Sequence, residues 1–148
     1  MNGLAAVGVA IVLVLTGTAC NEGDDEGGSF SLELAGDAEV CEGDTCGGDG
    51  AGTAEVTINS DQNEICYEIA LDGVQDVTAA HIHAAPEGEA GDVVVDLDYA
   101  GDDAGAEGCV DGIDESILEE VSEEPGRHYL NVHSEEYPDG AARAQLES

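Results

Sequence analysis

The sequence predicts an all-β fold, an antiparallel β-sandwich or barrel with one short helix, and three observations carry that expectation. Apolar and polar residues alternate with a period of two in several short stretches, Gly- and Asp-rich turn signals separate the stretches, and only one segment has a helical period. No internal repeat or second hydrophobic cluster is present, and 148 residues suit one folded domain.

Phe30, Leu32 and Leu34 alternate with Ser31 and Glu33, and Val56 and Ile58 flank Thr57. Ile65, Tyr67, Ile69 and Leu71 alternate with Cys66, Glu68 and Ala70. Successive side chains of a strand point to opposite faces, so each run offers one apolar face to a core. Further strands are expected at 77–83, at 92–99 with Val93, Val95, Leu97 and Tyr99 on one face, at 128–133 and at 141–146. Turn signals fall between them at Asp72-Gly73, at 86–88, at Asp111-Gly112 and at 138–140. Ile113, Ile117, Leu118 and Val121 recur at i, i+4, i+5 and i+8. Asp114 stands in capping position and Pro125-Gly126 lies beyond the end, so residues 114–123 read as an amphipathic helix over one open end of the sheet.

The chain has 35 Asp+Glu and 2 Lys+Arg, a formal net charge of -33. A nucleic-acid partner is excluded, because neutralising phosphates takes clustered Lys and Arg. The two bases, Arg127 and Arg143, form no patch. An excess of acids with no lysine resembles halophilic adaptation; it speaks of environment and solubility, not of activity.

Residues 1–19 carry no charged side chain, and residues 4–15 form an apolar run of 12. That is short for a bilayer span, which takes about 20 residues, and it suits the core of a secretory signal. Small residues and then Cys20 follow, which resembles a lipoprotein signal in which Cys20 takes a lipid and becomes the mature N-terminus. Gly17 stands where Leu is usual in such signals, and cleavage after Ala19 by an ordinary signal peptidase is the alternative; an uncleaved anchor is a third. The first two export the protein, either to the outer face of the membrane, with the lipid bilayer as partner through Cys20, or as a secreted chain. The expected organisation is a signal peptide at 1–19, an acidic flexible tether at 20–28 and one domain at 29–148.

Four cysteines besides Cys20 suit disulfides in an oxidising compartment. Of three pairings, the favoured one joins Cys41 to Cys46 across a short ring and Cys66 to Cys109, tying a strand to a distant loop. The second closure is worth on the order of 4 kcal/mol in the loop-entropy account. A four-Cys zinc site is the rival, but the spacings lack paired CxxC knuckles.

Two blocks carry a resemblance. Residues 80–97, AHIHAAPEGEAGDVVVDL, and residues 129–146, YLNVHSEEYPDGAARAQL, resemble in sequence and order the two most recognisable blocks of the CHRD (chordin-type) domain family, and the ICYEI run at 65–69 resembles a third. Ser134 and Ala144 depart from the family's usual Thr and Gly. The resemblance implies an immunoglobulin-like all-β domain, common in exported bacterial proteins, with no established enzymatic activity.

His81 and His83 are two apart on an expected strand, so both rings leave the same face. On the strand at 128–133, His133 shares a face with Asn131 and Tyr129, opposite Leu130 and Val132. If the latter two face the core, His133 is free to meet the HxH pair, and His128 is excluded by parity. Two His from one strand and one from another form a ligand set that copper or zinc accepts. The plainer alternative has the rings hydrogen-bonded within the fold, donating to carbonyls or to carboxylates such as Asp92 or Asp96. Arg143 is expected as a structural ion pair with bidentate carboxylate partners. No phosphate-binding loop, nucleophile elbow, Schiff-base lysine or EF-hand is present. Non-enzymatic binding or interaction with an unknown ligand is thus the leading expectation, with a copper- or zinc-binding extracytoplasmic protein as the alternative.

Overall fold

The structure, a computed structural model, describes residues 27–147; the expected signal peptide, Cys20 and the expected tether up to residue 26 lie outside the described residues. The period-two runs become the strands β1 (Ser29–Ala35), β2 (Ala51–Asn59), β3 (Glu64–Asp72), β4 (Val77–Ala84), β5 (Asp92–Asp96), β6 (Gly105–Asp111), β7 (His128–Ser134) and β8 (Ala142–Gln145), with the helix α1 (Glu115–Glu123) between β6 and β7. All eight join one antiparallel sheet in the order β5-β4-β7-β8-β1-β2-β3-β6, curled into a half-barrel. The two four-stranded halves meet at β8 and β1, where Ala35 opposite Arg143 is the registered pair.

Cross-strand register explains the core. Phe30 lies opposite Val56 and Leu32 opposite Ala54; Val56 is in turn opposite Tyr67, and Ile58 opposite Ile65. In the other half, Ile82 faces Leu130 and Val95, and Leu130 faces Ala144. These side chains cluster on the inside of the curl with Leu97, Leu146 and, from α1, Leu118 and Val121. The helix therefore closes the core as its apolar stripe requires. Asp114 occupies its N-cap position without a capping hydrogen bond from its side chain.

Three features depart from the sequence expectation. β6 falls in a stretch expected as loop, since GAEGCVD has two glycines and little β-propensity. It is held by β3 along its whole length, and Gly108 leaves room for the ring of Tyr67, whose oxygen a Cβ there would meet at 3.0 Å. Cys109 accordingly sits on a strand directly opposite Cys66, not on a distant loop; that pair and Cys41 with Cys46 lie at bonding distance.

The strand expected at 92–99 ends at Asp96. Asp98 adopts a left-handed backbone with φ 47°, its N–H held by Asp96 Oδ1 at 2.9 Å, a local turn that competes with the pleat.

Val93 does not share a face with Val95. A bulge between Ile82 and His83 sets Ile82 opposite Val95 but His83 opposite Val93, so the extra residue on β5 reverses the alternation. Val95 is 3% exposed and Val93 48%. Val95→Ala is therefore expected to lower unfolding stability by about 1.5–3 kcal/mol, and Val93→Ala to change it by no more than about 0.5 kcal/mol. Chemical denaturation of the two variants checks this; equal losses would show that the bulge is misplaced.

Candidate functional site

Period two sends Leu130 and Val132 of β7 into the core, so Tyr129, Asn131 and His133 must emerge on the opposite face. Their neighbours across the ladders share that face. His83, Tyr129 and Gln145 form one row, His81, Asn131 and Arg143 the next. An outer face would ordinarily meet water, yet every residue of β7 is buried. Two connecting segments, 36–50 and 85–91, supply the cover.

Arg143 anchors one cover. Its Nη1 donates to Glu89 O at 2.7 Å and its Nη2 to Pro86 O at 3.1 Å and Gln145 Oε1 at 3.2 Å, while the guanidinium lies 3.5 Å from the centroid of the Tyr129 ring. Gln145 Nε2 donates to Ala85 O, and the Gly91 N–H to Tyr129 Oη. The expected carboxylate partner of Arg143 is thus replaced by backbone carbonyls and a ring; no carboxylate lies within ion-pair distance of it among the described residues. The reason is that a covering loop brings carbonyls that have lost water, and a guanidinium offers five donors to satisfy them. The other cover is tied down by Gly47 N–H to Gly140 O at 2.8 Å and contains the Cys41–Cys46 pair. Gly48, at φ 101°, packs where a Cβ would come within 2.7 Å of the Tyr137 ring, so the close approach needs glycine.

Within this covered face the structure brings His81, His83 and His133 together. Ring centroids are 4.8 Å apart for His81 and His133, and 5.7 Å for each of the other two pairs. One ring nitrogen from each lies within 4.8 Å of the others. His83 Nδ1 is 2.9 Å from Gly91 O, and His133 Nδ1 is 3.0 Å from Pro138 O. A carbonyl only accepts, so both Nδ1 atoms carry the proton and both Nε2 atoms present a lone pair. His81 is turned the other way. Its Nε2 faces Asp96 Oδ2 at 3.8 Å, and its Nδ1 is buried.

His81 Nδ1, His83 Nε2 and His133 Nε2 have no hydrogen-bond partner. An unpaired buried acceptor costs about 1–3 kcal/mol. Burial lowers the pKa of all three rings. Asp96 opposes this at His81, and the carbonyl bonds oppose it at His83 and His133, while the neighbouring rings lower it further. Three neutral imidazoles result, two of them, His83 and His133, with the tautomer fixed by a carbonyl. Tyr129 stacks on His83 at 4.8 Å and 11°, holding that ring in plane.

Glu39 was not visible as a site residue among 35 carboxylates, and no local pattern marks it. It sits in the 36–50 cover, its Oε2 accepting from Asn131 Nδ2 at 3.4 Å, while Glu39 Oε1 and Asn131 Oδ1 are buried without partners. Desolvation pushes its carboxyl up to about 7, against the charge of Arg143 and the Asn131 bond. His128, excluded by parity, indeed points elsewhere, its Nδ1 3.0 Å from Glu124 O. Asp92 acts on His83 through its charge. An open groove of about 840 Å³ runs over β1–β3, lined by Ser31, Glu33, Thr53, Glu55 and Glu68. It contains neither ring nor base, and the chemistry lies with the covered face instead.

The Glu39 shift has a defined sign. A carboxyl that titrates near 7 in the folded chain and near 4.5 when unfolded binds more protons when folded, so its contribution to stability falls as pH rises from about 4.5 to about 7. Glu39→Gln, which cannot ionise, is expected to gain melting temperature relative to the parent at pH 8, and to show little gain at pH 5. Paired melting curves check this; a difference independent of pH would contradict the buried carboxyl.

No curated protein and no solved structure matches the chain. Residues 30–146, from β1 through the end of the sheet, match the CHRD domain family, the same family that the blocks at 80–97 and 129–146 resemble. Those blocks supply β4 with its two histidines, the 85–91 cover, β7 with His133, and Arg143. The covered polar face is thus built from the most recognisable part of the match, and the chain belongs to the CHRD domain family.

Proposed function

We propose that this CHRD domain is an extracytoplasmic, non-enzymatic binding module, exported by the segment at 1–19 and held at the outer face of the membrane by a lipid on Cys20. The observation that carries the binding reading is the covered face of β4, β7 and β8. Two of its rings are oriented by carbonyls, three ring nitrogens converge, and Glu39 Oε1 and Asn131 Oδ1 are likewise buried without partners. Preorganised polar atoms in a sheltered place are what a binding site needs. The family is not an enzymatic one, and among the described residues no nucleophile stands beside a base in the manner acyl transfer requires. Two cysteine pairs at bonding distance fit an oxidising compartment. The acidic surface, with no lysine, suits a domain kept dispersed at high salt.

The tether and the domain separate experimentally. Cys20→Ser is expected to move the protein from the membrane fraction to the soluble exported fraction without changing its melting temperature. Continued sedimentation of the variant with membranes would show that something other than a lipid on Cys20 holds it there.

A further inference from the structure

We propose that His81, His83 and His133 form a site for one borderline first-row transition-metal ion of the Zn(II) or Cu(II) class. This deepens the binding reading by naming the ligand of the covered face, but it does not depend on the lipid or on export.

Four observations carry it. The three rings come from two strands and present one nitrogen each within 4.8 Å of the others. His83 and His133 are 8% and 9% exposed, and the nitrogen each turns inward has no partner. The other nitrogen of each ring is committed to a backbone carbonyl, and that of His81 faces the Asp96 carboxylate. Ligating histidines are ordinarily oriented in this way, the outer acceptor fixing the tautomer that leaves a lone pair for the metal. Tyr129 adds a fourth constraint by stacking on His83.

The donor set also selects. Three imidazoles and no thiolate suit zinc or copper, whereas calcium and magnesium take oxygen ligands; among the described residues no carboxylate joins the trio, and the Asp96 carboxylate faces the outer nitrogen of His81. Bonds of about 2.0–2.1 Å from a tetrahedral ion place its ligand nitrogens about 3.4 Å apart. Closing on the ion therefore takes ring movements of about 1 Å or less. His81 is the least buried of the three, its side chain 20% exposed, and a water or a group on a partner would complete the tetrahedron as the fourth ligand. A chain of formal net charge -33 concentrates cations around itself.

The full chain, purified without chelator, is stripped and titrated with Zn(II) and with Cu(II) in molar NaCl, which suppresses diffuse binding to carboxylates. One equivalent is expected to bind, with affinity reduced at least about 100-fold in His83→Gln/His133→Gln, beyond the range that loss of an outer partner alone causes. His81→Gln, at the least buried of the three positions, serves as a second variant if the double one fails to fold. The Cu(II) electron paramagnetic resonance spectrum of the parent is expected to show coupling to imidazole nitrogens. Weak binding of several equivalents that is the same in the variants, or a Cu(II) spectrum with oxygen ligands alone, would overturn the site and leave bound water as its occupant. Cys20→Ser protein is expected to bind the metal unchanged, so loss of the tether and loss of the site are told apart.

Discussion

A strand buried on both faces can send its polar side chains only to partners inside the protein, and β7 is such a strand. Leu130 and Val132 take one face for the core, which leaves Tyr129, Asn131 and His133 to be satisfied on the other. Each consequence follows from that need. The 85–91 segment must lie over the sheet with its carbonyls turned inward, and Arg143 must be there to receive them. The 36–50 segment must close the other side, which calls for the glycine at 48 and brings Glu39 against Asn131. The carbonyls that the covers and the turn at Pro138 direct at the rings only accept, so His83 and His133 donate outward to them and keep their lone pairs inside.

The same constraint accounts for the placing of charge. The chain is acidic throughout, yet one of its two arginines is almost fully buried in the covered face. There the guanidinium meets two carbonyls, an amide oxygen and an aromatic ring, all of which it can reach without a carboxylate. Glu39 then feels that positive charge from beyond ion-pair distance, and burial outweighs it. Self-repulsion among the remaining carboxylates stays at the surface, where water and salt screen it.

Legibility in the sequence followed the strength of the local signal. Period two located β1, β3, β4 and β7 because large apolar residues alternate there with polar ones, and the i, i+4, i+5, i+8 spacing located α1. Parity also put His81 and His83 on one face with His133 free to meet them. β6 was missed because its partner β3 supplies the packing, and a strand of Gly, Ala and Glu has little signal of its own. The face of Val93 was misread because a bulge is a property of the ladder, not of either strand alone. The partners of Arg143 were misread for a related reason: that segment 85–91 folds back over the sheet is a long-range fact, and carbonyl acceptors leave no mark in side-chain identity.

Proton placement on the three rings tests this account most directly. Nitrogen-15 correlation spectra of the imidazoles in metal-free protein near pH 7.5 report which nitrogen carries the hydrogen. His83 and His133 are expected as neutral rings protonated at Nδ1, with His81 neutral and protonated at Nε2 on the side of Asp96. Rings protonated at Nε2 in His83 and His133, or rings averaging between tautomers, would contradict a covered face whose carbonyls hold the lone pairs of these two rings inward beside His81.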